Sequence, residues 1–363
     1  MSNTQKKNVP ELRFPEFEGE WEEKQLGNII KVNSGKDYKH LDKGDIPVYG
    51  TGGYMTSVSE PLSEIDAVGI GRKGTINKPY LLEAPFWTVD TLFYCTPKKE
   101  TDILFILSLF RKINWKVYDE STGVPSLSKQ TINKINRFVP TNKEQQKIGK
   151  FFSKLDRQIE LEEQKLELLQ QQKKGYMQKI FSQELRFKDE NGNDYPDWTN
   201  ERLGEVTTVT MGQSPKSVNY TDNSNDTVLI QGNADIENGL INPRIYTREV
   251  TKLIQKDEII LTVRAPVGKL AMAQINACIG RGVCSIKGDK FLYYFLEWFA
   301  TQNKWIRFSQ GSTFESISGN DIRNIHIKIP VEDERTKIIK LLNSLDVLNS
   351  KTDLKIQNLK QRK

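Results

Sequence analysis

The two halves of this chain repeat one another, and each copy ends in a long charged segment. Residues near the start of each copy coincide under a shift of 177 positions and later residues under a shift of 190: Trp21 falls on Trp198, Gly35 on Gly212, Ser128 on Ser318, Glu144 on Glu334 and Leu155 on Leu345. The second copy therefore carries a net insertion of 13 residues. A period this long indicates a duplicated domain rather than a solenoid, so two similar modules are predicted.

Length and composition agree with two modules. At 363 residues the chain exceeds what one hydrophobic core commonly supports. No apolar run is as long as a membrane span, and the polar N-terminus lacks a signal-peptide core, so a cytoplasmic location is expected. The three cysteines show no CxxC spacing, which favours reduced thiols over disulfides or a zinc site. The net charge of +6 gives only a hint of an anionic partner.

Each copy opens with short apolar or alternating runs broken by Gly, Pro, Asn and Asp, which is the pattern of strands and turns. One such strand is predicted from Val206 to Thr210. Apolar residues at helical spacing predict one helix within each module, over residues 103–115 and 291–299. Each module is therefore expected to be a strand-rich α+β domain.

After Pro140 and again after Pro330, apolar residues step by three and four, which is the seam pattern of a coiled coil. The predicted seam comprises Ile148, Phe152, Leu155, Ile159, Leu166 and Leu169 in the first segment and Ile338, Leu342, Leu345, Ile356 and Leu359 in the second. Acidic residues such as Glu162 flank the first seam, and basic residues such as Lys355 flank the second. Two separate solvated helices would also fit these charges, but the matching seams favour an antiparallel coiled coil with one module at each end.

Catalytic motifs are missing from this sequence or incomplete. The run from Gly69 to Gly74 fits GxGxxG, but the residues from Thr75 to Pro79 cannot open the helix that a dinucleotide site requires. The sequence contains no GxxxxGK[ST] loop, and two histidines are too few for a histidine-metal centre or a histidine-based triad. We therefore expect this chain to have no catalytic residues, metal site or cofactor of its own.

Basic residues near glycine-rich turns form the remaining functional pattern. The candidates for DNA contact are Lys36, Tyr38, Lys39, Arg72, Lys73 and Lys78 in the first copy and Lys216, Arg244, Arg264, Lys269, Arg281, Ser312 and Thr313 in the second. Long cationic side chains can bind phosphates and can form paired hydrogen bonds with guanine. Each one alone is more often an ordinary solvated charge, so the prediction rests on their presence at similar places in both copies.

The run from Lys256 to Gly268, followed by Ile279 to Val283, resembles the target-recognition domains of specificity subunits of type I restriction-modification enzymes. The segments from Glu144 to Ile148 and from Gly311 to Pro330 resemble that family's passage from recognition domain to helix. The resemblance covers nearly the whole chain and includes the duplication. It implies a non-catalytic reader of a two-part DNA sequence. Because Gly71 to Thr75 stands where the second copy has Arg264 to Gly268, the two modules are expected to read different half-sites.

The resemblance also implies domain bounds and partners. It places target-recognition domains at residues 11–140 and 184–330 and helical spacers at residues 141–183 and 331–363, with the second spacer clipped at its C-terminal end. The implied partners are double-stranded DNA, two methyltransferase subunits and restriction/translocase subunits, and these subunits would bind S-adenosylmethionine, ATP and Mg. The alternatives are a DNA-binding or coiled-coil scaffold protein not coupled to a methyltransferase, and an enzyme with its own activity.

Overall fold

The computed structural model describes residues 8–305 and 316–363. Its contacts divide the chain into two units, which have separate hydrophobic cores. Unit 1 comprises Met1–Leu161 and Asn358–Lys363, and unit 2 comprises Glu162–Gln357. Each unit combines sheets, short helices and parts of two long helices, which confirms the predicted α+β class.

Unit 1 contains two main sheets. Its strands are β1 Glu22–Gln25, β2 Ile30–Ser34, β3 Ile46–Gly50, β4 Gly53–Val58, β5 Ala67–Gly71, β6 Tyr80–Leu82, β7 Trp87–Thr88, β8 Leu92–Pro97 and β9 Asn136–Val139. One sheet is antiparallel with the order β2-β8-β5-β6, and the other has the order β4-β3-β7 with β3 and β7 parallel. All residues of β5 are buried, so this strand lies at the centre of the unit.

The helices of unit 1 are α1 Leu26–Ile29, α2 Ile103–Lys112, α3 Lys129–Lys134 and the first part of α4, Asn142–Phe181. Asp102 caps α2 by accepting a hydrogen bond from the Phe105 N–H at 2.8 Å. The prediction of a helix over residues 103–115 was too long by three residues. The Trp115 indole donates a hydrogen bond to the Phe110 carbonyl at 2.8 Å. This carbonyl therefore has a hydrogen-bond partner without a further turn of helix.

Unit 2 contains two larger sheets. Its strands are β10 Thr199–Arg202, β11 Val209–Met211, β12 Tyr220–Thr221, β13 Thr227–Ile230, β14 Ile236–Glu237, β15 Leu240–Ile241, β16 Tyr246–Thr247, β17 Leu253–Ile254, β18 Ile259–Thr262, β19 Leu270–Met272, β20 Ala277–Ile279, β21 Val283–Ile286 and β22 His326–Ile329. One sheet has the order β11-β21-β18-β19-β15-β14, and the other has the order β12-β16-β13-β20-β17. As in unit 1, the second sheet includes one parallel pair, β13 with β20.

The helices of unit 2 are α5 Leu203–Val206, α6 Lys290–Thr301, α7 Gly319–Arg323, the second part of α4 and most of α8, Glu332–Gln361. The helix predicted over residues 291–299 is therefore present as α6. The strand predicted from Val206 begins only at Val209, because the preceding residues form α5.

The two units share hydrogen bonds at corresponding positions. Gly35 N–H donates to the Leu92 carbonyl at 3.1 Å, and Gly212 N–H donates to the Val283 carbonyl at 3.0 Å. A Cβ at Gly35 would lie 2.0 Å from the Val89 carbonyl oxygen, and one at Gly212 would lie 2.1 Å from the Gly280 oxygen. Close backbone contact therefore explains why the same spacing carries glycine in both copies.

Serine caps mark a second shared feature. Ser128 accepts a hydrogen bond from the Thr131 N–H and begins α3, and Ser318 does the same for Asp321 and α7. The residues before these caps, Leu127 and Ile317, are buried. The repeated Ser-apolar-Ser sequence therefore begins a short helix and anchors it in each unit.

A buried glutamate joins the start of each module to its long helix. In unit 1, Glu144 accepts hydrogen bonds from the Arg13 guanidinium at 2.7 and 2.8 Å and from the Trp21 indole at 3.2 Å. In unit 2, the same three groups are Arg186, Trp198 and Glu334. Hydrogen bonding to the carboxylate raises the pKa of each arginine.

The long helices α4 and α8 pack together in an antiparallel direction, which confirms the prediction. In unit 1, Asp156 of α4 pairs with Lys363. In unit 2, Glu162 and Lys173 of α4 pair with Lys355 and Asp346 of α8, respectively. As residue numbers rise along α4, the numbers of their partners on α8 fall, which is the pairing of antiparallel helices.

The apolar seam residues differ in what they contact. Leu155, Ile159, Ile338, Leu342, Leu345, Ile356 and Leu359 are buried, and Ile148, Phe152, Leu166 and Leu169 are half-buried. Leu155 and Ile159 cluster with Leu359 across the helix pair of unit 1. Ile338 and Leu342 instead belong to the core of unit 2, so this end of α8 is bound to the module.

No helix within residues 8–305 and 316–363 is both long and apolar enough to cross a membrane. The three cysteines, Cys95, Cys278 and Cys284, are free and buried. Residues 72–79 form bends, irregular segments and one bridge after β5, so the GxGxxG run opens no helix.

Candidate nucleic-acid interface

Three of the predicted basic residues line one cavity in unit 2. Lys216, Arg264 and Arg281 surround a space of about 520 Å³ that is open to solvent. Polar groups complete the lining: Ser214, Ser217, Tyr220, Gln231 and Asn233. The sequence had separated these three cations by up to 65 positions, and the fold brings them together.

Backbone contacts fix the position of each cation. Arg264 follows β18 and forms a bridge with Ser316, while the preceding Val263 N–H donates to the Gly282 carbonyl at 2.9 Å. Arg281 lies in the turn between β20 and β21, and its N–H donates to the Ser214 hydroxyl at 3.1 Å.

Only glycine fits beside Arg281. A Cβ at position 282 would lie 1.9 Å from the Gln231 carbonyl oxygen, which no side chain could tolerate without movement of the backbone. The tight packing of this turn holds Arg281 at the rim of the cavity.

The cavity is electrostatically positive because its cations are not neutralised. Within the described residues, the charged groups of Lys216, Arg264 and Arg281 form no ion pair or hydrogen bond. Nearby acids are engaged with the backbone instead: Asp235 accepts from the N–H of Gln231 and of Gly232, and Glu249 accepts from that of Lys216. The bonds from Lys216 and Asn219 lower the pKa of Glu249. Unpaired cations around a polar cavity suit an anionic or acceptor-rich ligand.

Lys269 and Arg244 lie differently from the three cations of the cavity. The Lys269 ammonium donates to the backbone carbonyls of Asn233 and Ile236, so it supports the turn that forms one wall of the cavity. Arg244 is exposed and lies 3.8 Å from the carboxylate of Asp235. The candidates Ser312 and Thr313 lie outside the described residues. DNA contact by these four residues stays a prediction.

Backbone register identifies the corresponding place in unit 1. Lys73 forms a bridge with Ser126, as Arg264 does with Ser316. Arg72 N–H donates to the Thr91 carbonyl, as Val263 N–H does to Gly282. Lys73 therefore corresponds to Arg264, and the sequence comparison that set Gly71 against Arg264 was displaced by two residues.

The same register gives the remaining counterparts. The Leu92 N–H donates to Val89 at 3.0 Å, and the Val283 N–H donates to Gly280 at 3.2 Å, so the two turns coincide. Asp90 thus occupies in unit 1 the position that Arg281 occupies in unit 2. Lys39 corresponds to Lys216 under the shift of 177.

The other predicted residues of unit 1 surround this turn or the adjoining sheet. Arg72 donates to the Asp90 carbonyl at 3.4 Å and lies over the Phe93 ring. Lys36 and Lys78 are exposed, and Tyr38 packs against the cluster of Val48, Val58 and Trp87. Sequence reasoning missed Asp90, Gln231 and Asn233 because it looked for cations. The correspondence of Asp90 with Arg281 follows from the backbone hydrogen bonds of the structure and not from a sequence pattern.

Comparison with known proteins identifies the family. The family model for the type I restriction modification DNA specificity domain matches residues 18–171 and again residues 195–361. The chain belongs to this family. The two matches contain both turns and both sets of cations described above, and they reproduce the duplication seen in the sequence.

Relatives and solved structures agree with this assignment. A candidate type I restriction enzyme MjaX specificity subunit from Methanocaldococcus jannaschii is 30% identical over 261 residues, which are 68% of this chain and 61% of that protein. The chain thus spans less than two thirds of that relative. The MjaVIII specificity subunit of the same organism is 25% identical over 79% of this chain and 71% of its own length.

Two solved structures share the fold. The crystal structure of a type I restriction-modification S subunit from M. genitalium matches with a TM-score of 0.69 and 15% identity, covering 97% of this chain and 96% of that one. A chain from a structure concerning complex assembly and conformational transition of the type I R-M system matches with a TM-score of 0.58 and 18% identity, with the same coverage. These likenesses show that the chain shares their fold.

Proposed function

We propose that this chain is the sequence-specific DNA-binding specificity subunit of a type I restriction-modification complex, in which each module reads one half of a bipartite target. The observation that carries the proposal is the cavity of unit 2, where three unpaired cations meet in a segment matched by the family model. The corresponding turn of unit 1 carries Lys39 and Lys73.

Affinity and specificity have different sources in this account. The exposed lysines supply phosphate contacts, which weaken as salt concentration rises. The guanidinium groups of Arg264 and Arg281 reach base edges in the major groove, where arginine discriminates guanine through paired hydrogen bonds. The two half-sites are read about one helical turn apart, as in dimeric DNA-binding proteins.

The chain itself does no chemistry in this proposal. Two methyltransferase subunits dock on the paired helices, and restriction/translocase subunits join them in the cytoplasm. These partners bind S-adenosylmethionine, ATP and Mg, and the specificity subunit directs them to the target. Methylation and restriction then depend on the sequence that the two modules recognise.

The proposal is tested by assembling the chain with methyltransferase subunits and sequencing the methylated sites. We expect a motif with two specific parts and an unspecified gap, no methylation by the chain alone, and DNA binding that weakens with salt. A coiled-coil scaffold would show no salt-dependent DNA binding. Methylation by the isolated chain would show that it is an enzyme, and either result would overturn the proposal.

A further inference from the structure

Residue 90 in unit 1 and residue 281 in unit 2 occupy the same turn but carry opposite charges. Each turn is closed by an equivalent hydrogen bond, from Leu92 N–H to Val89 and from Val283 N–H to Gly280. Each also follows the parallel strand pair of its unit. The same backbone hydrogen bond thus closes both turns, and the side chain at the second position of the turn has opposite charge in the two units.

The turn is adjacent to the predicted base-contacting cation in each unit. Lys73 N–H donates to the Thr91 carbonyl at 3.2 Å, next to Asp90. In unit 2, Arg264 and Arg281 line the same cavity. Position 281 therefore lies beside the cation at position 264, and the backbone register places position 90 likewise beside Lys73.

The Asp90 carboxylate is exposed and unpaired among cations. Within the described residues it forms no hydrogen bond or ion pair, and the neighbouring Arg72 guanidinium contacts the Asp90 backbone carbonyl instead. A carboxylate that faces DNA repels the phosphates and adds nothing to general affinity. Its chemical use at such a place is to accept hydrogen bonds from an exocyclic amino group of a base.

We propose that this shared turn position determines base specificity in both modules, with opposite polarity: Asp90 accepts from the N4 amino group of cytosine, and Arg281 donates to O6 and N7 of guanine. These are the base partners that the two side chains prefer in the major groove. The inference rests on the proposed function and adds the residues that make the half-sites differ.

The test exchanges the side chains within the assembled methyltransferase. In unit 1, Asp90→Arg should move the preferred base at one position of one half-site from cytosine to guanine, and Asp90→Asn should move it to adenine, since asparagine pairs with adenine. In unit 2, Arg281→Asp should move guanine to cytosine in the other half-site. Each preference is expected to change by roughly 5- to 140-fold, the range that one base contact supplies.

Matched controls lie at the far end of the corresponding strands. Glu83 is exposed and follows β6, which pairs with the start of β5, and Lys256 is exposed and precedes β18. Glu83→Gln and Lys256→Ala change the charge of each unit without changing its turn. They should leave the methylated motif as it is.

The readouts are the methylated motif, obtained by sequencing, and binding to duplexes that differ at one base pair. Thermal unfolding identifies variants that fold, and Asp90→Asn, which preserves the side-chain size, decides the matter for unit 1. If Asp90→Arg raises binding to all duplexes equally while the motif stays unchanged, the position faces phosphate and the inference is wrong. Absence of any bipartite motif for the unaltered chain would instead overturn the proposed function.

Discussion

The two modules have the same framework but differ at the turn that faces the proposed ligand. Arg13, Trp21 and Glu144 in unit 1 repeat as Arg186, Trp198 and Glu334 in unit 2 with the same hydrogen bonds. At the turn, Asp90 stands opposite Arg281 in the comparison. The difference indicates that these modules keep the contacts that hold them on the helices while the side chains at the turns differ.

The insertion in unit 2 extends the same contrast. Between β3 and β5 the chain of unit 1 forms β4, whereas between the corresponding strands β13 and β18 unit 2 forms β14 to β17. The same segment contains a turn at residues 233–235, where Asn233 lines the cavity and its carbonyl accepts a hydrogen bond from Lys269. The extra residues therefore add to the lining of the cavity through Asn233 and to the core of unit 2 through the buried Ile236, Ile241 and Ile254.

The largest effect is expected from a charge in the helix pair. Leu155→Asp in unit 1 and its counterpart Leu345→Asp in unit 2 each replace a buried side chain and should lower the free energy of unfolding by about 4 kcal/mol. Assembly with methyltransferase subunits, measured by light scattering, should weaken while base preference is kept. Leu161→Asp on the same helix, where the side chain is 48% exposed, is the control. A changed base preference with intact assembly would contradict the separation of docking from reading.

The glutamate that joins each module to its helix should have the next largest effect. Glu334 is fully buried and accepts hydrogen bonds from two side chains, so Glu334→Ala removes the acceptor of the Trp198 indole N–H and of the Arg186 Nε–H. We expect unit 2 to lose about 3 kcal/mol of stability, measured by chemical denaturation, and Glu144→Ala to act on unit 1 in the same direction. The exposed Glu332 provides a control. If only one of the two variants lost stability, the glutamate would stabilise that unit alone, although both units have the same hydrogen bonds.

Arginine substitutions in the cavity should affect recognition more than stability. Arg264→Ala or Arg281→Ala is expected to cost about 1–3 kcal/mol of binding at one base position, because the paired hydrogen bonds to guanine are lost. Binding to the cognate duplex and to single-base variants measures this loss. Lys256→Ala should have no such position-dependent effect. Loss of subunit assembly in either arginine variant would show that the residue supports structure instead.

The smallest expected effect is a dependence of stability on pH, which should differ between the two units. Lys173 pairs with Asp346 in unit 2 and Lys363 pairs with Asp156 in unit 1. Among residues 8–305 and 316–363, a second carboxylate, that of Glu297, pairs with the lysine only in unit 2. Burial raises the pKa of Glu297 above its ordinary value of 4.5. The carboxyl of Glu297 therefore binds its proton more tightly in the folded state than in the unfolded state. The stability that this protonated carboxyl contributes is present below pH 4.5 and is lost as pH rises above that value.

Denaturation of the unaltered chain and of Glu297→Gln across roughly pH 4 to 7 checks this expectation. The stability of the unaltered chain should fall relative to the variant as pH increases. A difference that is constant with pH would mean that Lys173 fully compensates for the burial of Glu297.

The features that both modules share were largely predictable, because close packing and helix pairing each require a particular type of residue at a fixed spacing. Close backbone contact demands glycine at positions 35 and 212, and the seam demands apolar residues at helical intervals. The duplication, the α+β class and the antiparallel helix pair followed from these patterns. The end of α2 did not, since it depends on the Trp115 indole reaching the Phe110 carbonyl.

The residues of the cavity and of the two turns were less predictable, because their positions depend on strand register. The sequence alone set Gly71 against Arg264, and only the bridges of Lys73 and Arg264 correct the alignment. Asp90 had no local pattern to identify it. Lys269 looked like a DNA contact, yet its ammonium supports a turn, since a sequence records the charge but not the carbonyl groups that it meets.

The most direct test of independent reading by the two modules is to exchange one of them. Residues 198–330 would be replaced by the equivalent domain of a relative, and the methylated motif of the assembled complex would be sequenced. The account predicts that one half of the motif changes while the other half and the gap between them are unchanged. A change in both halves together would contradict the claim that each module reads its own half-site.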